Sequence, residues 1–311
     1  MHFLYTVLID PFVQIAGDPR FFVEVLTGGL LTGVMYSLVA LGFVIIYKAS
    51  RVFNFAQGTM VLFAALMLVG QMEMGAPAWL ALGTTCGVMV GLAFAVERLV
   101  LRPMVNQSEI ILFMATLGIS FFLEGLGQLM WGGDVHTLEL GIPSGPLTLG
   151  GILVNKLDLV GAAVAGLLVT ALALFFRWTS VGRVLRAVAD DHQAALSVGV
   201  PLKVVWVIVW TMAGLVALVA GIMWGSSLGV QFSLSLVALK ALPVLILGGF
   251  TSVPGAIVGG LIVGATEKVG EVFWGPALGG AVENWFAYLL ALIFLLFRPQ
   301  GLFGERIIER V

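Results

Sequence analysis

Residues 204–266 read VVWVIVWTMAGLVALVAGIMWGSSLGVQFSLSLVALKALPVLILGGFTSVPGAIVGGLIVGAT, 63 consecutive positions with a single charged side chain, Lys240. No water-soluble core looks like that. The apolar interior of a bilayer is crossed by about 20 residues of helix, so this stretch has room for roughly three crossings. Charge-free runs recur at 25–47, 52–72, 74–96, 110–123 with 125–133, 159–176 and 284–297. The chain therefore reads as an all-α polytopic integral membrane protein, and its function has to be read from what interrupts the apolar runs.

Composition agrees. Hydrophobic residues make up 60 %, charged residues 10 %, and the mean hydropathy is +1.10, where a soluble domain carries about 25 % charged residues. The 40 glycines suit helices packed closely in lipid. A net charge of −2 gives no reason to expect a nucleic-acid partner. The one cysteine, Cys86, lies inside an apolar run and reads as a small lipid- or helix-facing residue. The N-terminal MHFLYTVLIDPFVQIAGDP lacks a basic region and a small-residue cleavage site, is too short to span, and is interrupted by Asp10-Pro11; it reads as an interfacial segment.

The spans fall at 22–47, 54–72, 77–97, 109–131, 158–177, 203–225, 234–250, 254–274 and 281–297. These make about nine crossings, within a range of eight to ten. The 234–250 piece is short and contains Lys240 and Pro243, which suggests a broken or re-entrant helix. Basic residues cluster at Lys48/Arg51, Arg98/Arg102, Arg177/Arg183/Arg186 and Arg298/Arg306/Arg310. Nine crossings put all four clusters in the cytoplasm, as the positive-inside rule requires, with the N-terminus outside and the C-terminus inside. The Gly- and Pro-rich loop 132–157 then faces outward. The expectation is one transmembrane domain over 1–311, with no soluble domain and no internal repeat.

Several chemistries lack their residues. No G-x-x-x-x-G-K-[ST] nucleotide loop occurs, since the Gly-rich stretch 248–255 has no lysine. His2, His136 and His192 have no metal-type neighbours at helical spacing. The spans hold no chain of Asp, Glu and His such as proton-driven pumps use. A transporter of this kind takes its energy from elsewhere or is a passive channel. The chain is not expected to be an enzyme or to bind a cofactor.

The cytoplasmic segment 180–201, SVGRVLRAVADDHQAALSVGVP, has two short amphipathic pieces, a Gly199 stop and Pro201. It reads either as a helix–turn on the membrane surface with small residues that another protein can approach, or as a solvated basic loop. Here a resemblance enters. Gln193-Ala194-Ala195 followed by Gly199 resembles the E-A-A-x-x-x-G coupling loop of ABC importer permeases, with Gln in place of Glu. Gly182-Arg183 and Arg186-Ala187-Val188-Ala189-Asp190 resemble the version in the branched-chain amino-acid permeases of the LivH/LivM family. Ser50–Gly58 (SRVFNFAQG) resembles that family's first cytoplasmic loop, Leu247–Ala256 (LGGFTSVPGA) its LGG-G-S-PGA stretch, and Phe297–Gly304 (FRPQGLFG) its C-terminal ending. The four occur in the family's order over nearly the whole chain, and the lack of a fused ATPase fits the LivH-like member.

The resemblance implies a partner set: a second, LivM-like membrane subunit, two ATPase subunits carrying ATP and magnesium, and a periplasmic solute-binding protein. The assembly would sit in a bacterial cytoplasmic (inner) membrane. Gly182, Arg183, Arg186, Asp190, Gln193, Ala194, Ala195 and Gly199 would meet an ATPase and pass its closure to the helices as alternating access. The solute would be a branched-chain amino acid. Urea, amides and small aromatic acids are alternatives within the same class, and a passive channel or facilitator is the rival from another class.

The remaining interruptions have two readings each. Asn54 can cap a helix beginning near Phe55, or line an inner mouth with Gln57; Arg51 reads as a headgroup anchor. The pairs Gly255/Gly259, Gly260/Gly264, Gly29/Gly33, Gly87/Gly91 and Gly221/Gly225 read as helix-packing ridges. A break at Gly248, Gly249 and Thr251–Pro254, including Ser252, could bring backbone groups to a pathway, because irregular backbone at membrane depth is tolerated only against protein or water. Glu124 and Gln128 share a helix face with Thr116 and Ser120. These two, with Lys240 and Glu267, are either buried partners or part of a solute path, and a Glu124–Lys240 pair is conceivable. Trp274 and Trp285 read as interface anchors, and Asn284 as positional.

Overall fold

A computed structural model describes residues 2–104, 107–142, 145–190 and 202–304. In chain order the helices are α1 (His2–Leu8), α2 (Asp10–Gly17), α3 (Pro19–Ser50), α4 (Gln57–Glu73), α5 (Ala78–Val96), α6 (Glu109–Trp131), α7 (Lys156–Trp178), α8 (Ser180–Asp190), α9 (Leu202–Leu228), α10 (Val237–Gly248), α11 (Val253–Leu278) and α12 (Phe286–Phe297). Every span expected from the apolar runs contains a helix. Among the described residues, α3, α5 with the π-turn that follows it, α6, α7 and α9 are long and apolar enough to cross a bilayer alone. A sixth span results if the segments 232–248 and 253–278, bent by 116°, are taken together. Trp79, Phe121, Leu129, Leu167 and Leu296 stand exposed, an inside-out arrangement that suits lipid as the solvent and fits a multi-pass membrane protein.

The helices are not the whole of the fold. Within 132–157, β1 (Pro146–Leu149) pairs antiparallel with β2 (Ile152–Asn155), Leu149 opposite Ile152. This hairpin is a short addition to an otherwise helical fold. The turn is Gly150-Gly151, with φ of +61° and +88°, the paired positive values that a two-residue hairpin needs. The Leu153 N–H donates to Glu24 Oε2 at 3.2 Å, tying the hairpin to α3.

The chain divides into two compact units. One comprises Met1–Ser37, Gly141–Gly166 and Lys240–Val311. Its core is the crossing of α3 and α11. A Cβ on Gly29 would meet the backbone of Gly264 and Ala265, and one on Gly33 the backbone of Gly260 and Leu261. Backbones come this close only where both ridges lack side chains. Ser37 Oγ donates to Gly33 O at 2.9 Å and to Ile257 O at 3.3 Å. The N-terminal α1 and α2 break at Ile9, immediately before Asp10-Pro11, which open α2. Trp274 Nε1 donates to Val7 O at 3.1 Å and its ring meets Phe12 edge-on at 5.5 Å. Trp274 therefore holds the N-terminal helices.

The other unit comprises Leu38–Leu140 and Leu167–Leu239. Here α4 is its buried centre, with only Met67 and its last turn showing. Gly58 abuts Ser235 O, Gly221 of α9 abuts Val61 O, and Gly70 receives the Trp131 indole. The Gly87/Gly91 pair of α5 departs from the packing expectation: it is exposed, with nothing within 4 Å of a Cβ at either position. Outside the helices, His136 pairs with Val230 in an isolated bridge, and its Nδ1 lies 2.9 Å from both Glu73 oxygens.

Candidate functional site

The helix break expected at 248–254 is present. The α10 helix ends at Gly248, Gly249 adopts φ +98°, and Ser252 caps α11 by accepting the Gly255 N–H at 3.0 Å. Gly248 and Gly255 touch backbone to backbone, so the chain reverses with no room for side chains at either position. The C-terminal stretch docks on this break. Leu302 N–H donates to Leu247 O at 2.7 Å and Phe303 N–H to Gly248 O at 3.2 Å, while Gly301, at φ +78°, sits against Gly249. Two of the four sequence motifs are thus one structural feature. Arg306 and Arg310 lie outside the described residues.

Further along the same unit, the intramembrane charges form a cluster. Lys240 Nζ lies 2.8 Å from Glu267 Oε1 and 3.5 Å from Glu283 Oε1. Tyr36 Oη donates to Glu267 Oε1 at 3.0 Å. Lys240's carboxylate partners are therefore Glu267 and Glu283 rather than Glu124. Sequence reading missed Tyr36 and Glu283 because one belongs to α3 and the other to the turn before α12, and nothing in their spacing connects them to position 240. Asn284 lies in the 3₁₀ turn beside Glu283.

In the second unit, the loop after α3 is folded inward. Arg51 takes φ +55°, the left-handed conformation that usually ends a helix with Gly. The next helix begins at Gln57, not near Phe55, so Asn54 does not cap it. Asn54 Oδ1 accepts the Ala56 N–H at 3.2 Å and its Nδ2 donates to Gln57 Oε1 at 3.2 Å. Gln57 Nε2 reaches Ala213 O at 3.4 Å, and Gly42 leaves the space that the Gln57 amide fills. Both amides are buried. The α6 face divides. Thr116 bonds Phe53 O and the Phe55 N–H, both at 3.1 Å, and Ser120 bonds Thr59 at 3.0 Å. One and two turns on, Glu124 is half-buried and Gln128 exposed.

The start of the expected coupling segment is a tight elbow. Thr179 Oγ1 accepts the Gly182 N–H at 3.0 Å, and a Cβ on Gly182 would strike the backbone of Phe176. Arg186 donates to Phe176 O, and to Arg177 O at 3.4 Å; Arg183 donates to Trp178 O at 3.3 Å. Cations thus answer the unpaired carbonyls at the end of α7. Leu185 and Val188 are buried on the inner side of α8, while Arg183 and Ala187 face out. Asp190 ends α8, and its side chain lies outside the described residues, as do Gln193, Ala194, Ala195 and Gly199. Among the described residues no group of three or more His, Cys, Asp or Glu side chains is placed to hold a metal ion.

Residues 25–298 match the family described as branched-chain amino acid transport system / permease component. The chain belongs to that family of transport permeases. It is 27 % identical over 305 residues to the high-affinity branched-chain amino acid transport system permease protein BraD of Pseudomonas aeruginosa, covering 93 % of this chain and 98 % of that one. It is 27 % identical over 314 residues to the corresponding LivH of Escherichia coli, covering 94 % and 98 %. A probable branched-chain amino acid transport permease protein LivH of Methanocaldococcus jannaschii is 26 % identical over 297 residues, covering 90 % and 92 %.

Proposed function

We propose that this chain is a membrane-spanning subunit of a bacterial ABC importer that moves branched-chain amino acids inward through the cytoplasmic membrane. The observation that carries this is family membership from residue 25 to 298, with near-full-length similarity to permeases named for that transport. The chain works with a second, LivM-like permease subunit, two ATPases and a periplasmic binding protein. ATP and magnesium belong to the ATPases. The topology is nine crossings, N-terminus out and C-terminus in. It keeps α8 and the segment after it in the cytoplasm, where Arg183, Arg186, Asp190 and the 193–199 stretch meet an ATPase.

The elbow at Gly182 supports a mechanical role. A short helix bonded to the end of α7 through Arg183 and Arg186 moves with α7, so a push on α8 is transmitted to a spanning helix and drives alternating access. The candidate pathway groups are the broken helix at Gly248, Gly249 and Ser252 with Lys240 in one unit and Glu124/Gln128 in the other, while the buried Asn54 and Gln57 hold the loop after α3.

Uptake of labelled leucine into proteoliposomes holding the chain with its co-purified partners tests this, with binding protein outside and ATP inside. ATP-dependent accumulation is expected. Leucine flux without ATP would mean a passive channel. ATP hydrolysis coupled to urea, amide or aromatic-acid uptake instead would keep the importer and replace the solute.

A further inference from the structure

From the Lys240–Glu267–Glu283 cluster we infer a binding site for a zwitterion, in which the carboxylates take the solute's ammonium and Lys240 takes its carboxylate. The inference rests on the importer reading and names the solute chemistry within it. The two oxygens of Glu267 are unequal. Oε1 accepts from both Tyr36 and Lys240, whereas Oε2 is buried with no hydrogen-bond partner among the described residues. Glu267 as a whole is 4 % exposed. A carboxylate oxygen shut away from water without a donor is costly, and a donor supplied by a passing solute removes that cost.

Charge selects the kind of donor. One ammonium faces two carboxylates, so the cluster has room for one more positive group. A bare cation would also face Lys240, which lies 2.8 Å from the same carboxylate, and a bare anion would face both glutamates. A molecule carrying both charges meets an opposite partner at each end. Lys240 has three N–H donors; one is bonded to Glu267 at 2.8 Å, while Glu283 pairs with the ammonium at 3.5 Å. The Lys240 and Glu283 side chains are 28 % and 40 % exposed. At membrane depth such groups face protein or water rather than lipid, so the exposed edge of the cluster is one a polar solute can reach.

The first test uses the unaltered assembly in detergent. Acetylation of Lys240 by an amine-reactive ester is followed by mass spectrometry, as a ratio to acetylation of Lys156 in the same sample so that consumption of the ester by free amines cancels, with leucine, 4-methylpentanoate, 3-methylbutylamine or urea at equal concentration. Leucine is expected to slow modification several-fold and the other three to leave it unchanged. No protection by leucine, or equal protection by all four, overturns the site.

The second test is uptake by reconstituted variants. Glu283→Gln, at a partly exposed position, is expected to lower leucine uptake at least tenfold with the subunits still co-purifying. The exchange Lys240→Glu with Glu267→Lys keeps an ion pair but reverses it. Uptake is expected to stay low; full recovery would make the cluster a structural clamp and overturn the proposal. Failure of the unaltered assembly to take up leucine with ATP would instead strike the leucine-importer reading, which the acetylation result does not depend on.

Discussion

Gly33 of α3 and Gly260 of α11 face each other across the helix crossing so closely that a Cβ on either would stand 2.5 or 2.6 Å from the other's carbonyl oxygen. Lipid supplies no hydrophobic drive for helix association, so van der Waals contact of this kind holds such helices together. Gly33→Leu and Gly260→Leu are each expected to destabilise the unit by about 1–3 kcal/mol or more, the cost of overpacking where backbone cannot yield. Unfolding in a graded SDS titration measures it. Gly87→Ala, where the space is open, is the control and should shift stability by less than about 0.5 kcal/mol.

The elbow at Gly182 gives a second expectation. Gly182→Val should force α8 away from α7, because the new side chain meets the Phe176 backbone. Insertion into the membrane should survive while ATPase subunits no longer co-purify. Arg186→Ala should have a milder effect, since it removes a cation from the α7 carboxyl end, worth about 0.3–1 kcal/mol. Co-purification yield against membrane abundance separates the two.

The docked C-terminal stretch yields a third. Gly249→Ala and Gly301→Ala each place a side chain at positive φ, at about 1–2 kcal/mol; the new Cβ at 249 also crowds the Gly304 backbone and the one at 301 the Gly249 backbone. Both should loosen the stretch from Leu247 and Gly248. Trypsin cleavage after Arg306 and Arg310 should accelerate in membrane vesicles, with the remainder of the chain equally resistant in all variants.

Asn54 and Gln57 provide a fourth. Asn54→Ala strips the Ala56 N–H and the Gln57 carbonyl of their partners inside a buried site. A loss of about 1–3 kcal/mol is expected, the penalty of leaving a buried polar group unsatisfied. Thermal unfolding of the purified assembly reads it. A variant that keeps full stability but transports a different solute would give Asn54 a place on the route instead.

Legibility in the sequence followed locality. The break at Gly248–Pro254 could be read because glycine, a β-branched pair and proline act on the chain directly around them. The Gly29/Gly33 and Gly260/Gly264 ridges could be read as packing faces, but not as partners of each other. Gly87/Gly91 had the same spacing and met nothing. The hairpin at 146–155 was missed, although Gly150-Gly151 carried its signal, because loop length and composition outweighed the turn. Asn54 was placed as a cap two residues too early, since the inward fold of the loop depends on Thr116 of another helix.

Apolar runs longer than a bilayer is thick, and the positions of basic residues between them, make the membrane class a property of the sequence itself: lipid solvates each helix separately, so each run reports its own fate. The motifs at 50–58, 182–199, 247–256 and 297–304 likewise pointed to the permease family without coordinates. Pairing is different. That Lys240 meets Glu267, Glu283 and Tyr36, that the 297–304 stretch seats on Gly248 and Gly249, and that Arg183 and Arg186 close the end of α7 were decided by tertiary structure. A charge or a carbonyl is satisfied by whatever stands within about 3 Å, and that neighbour is set by helix packing rather than by distance along the chain.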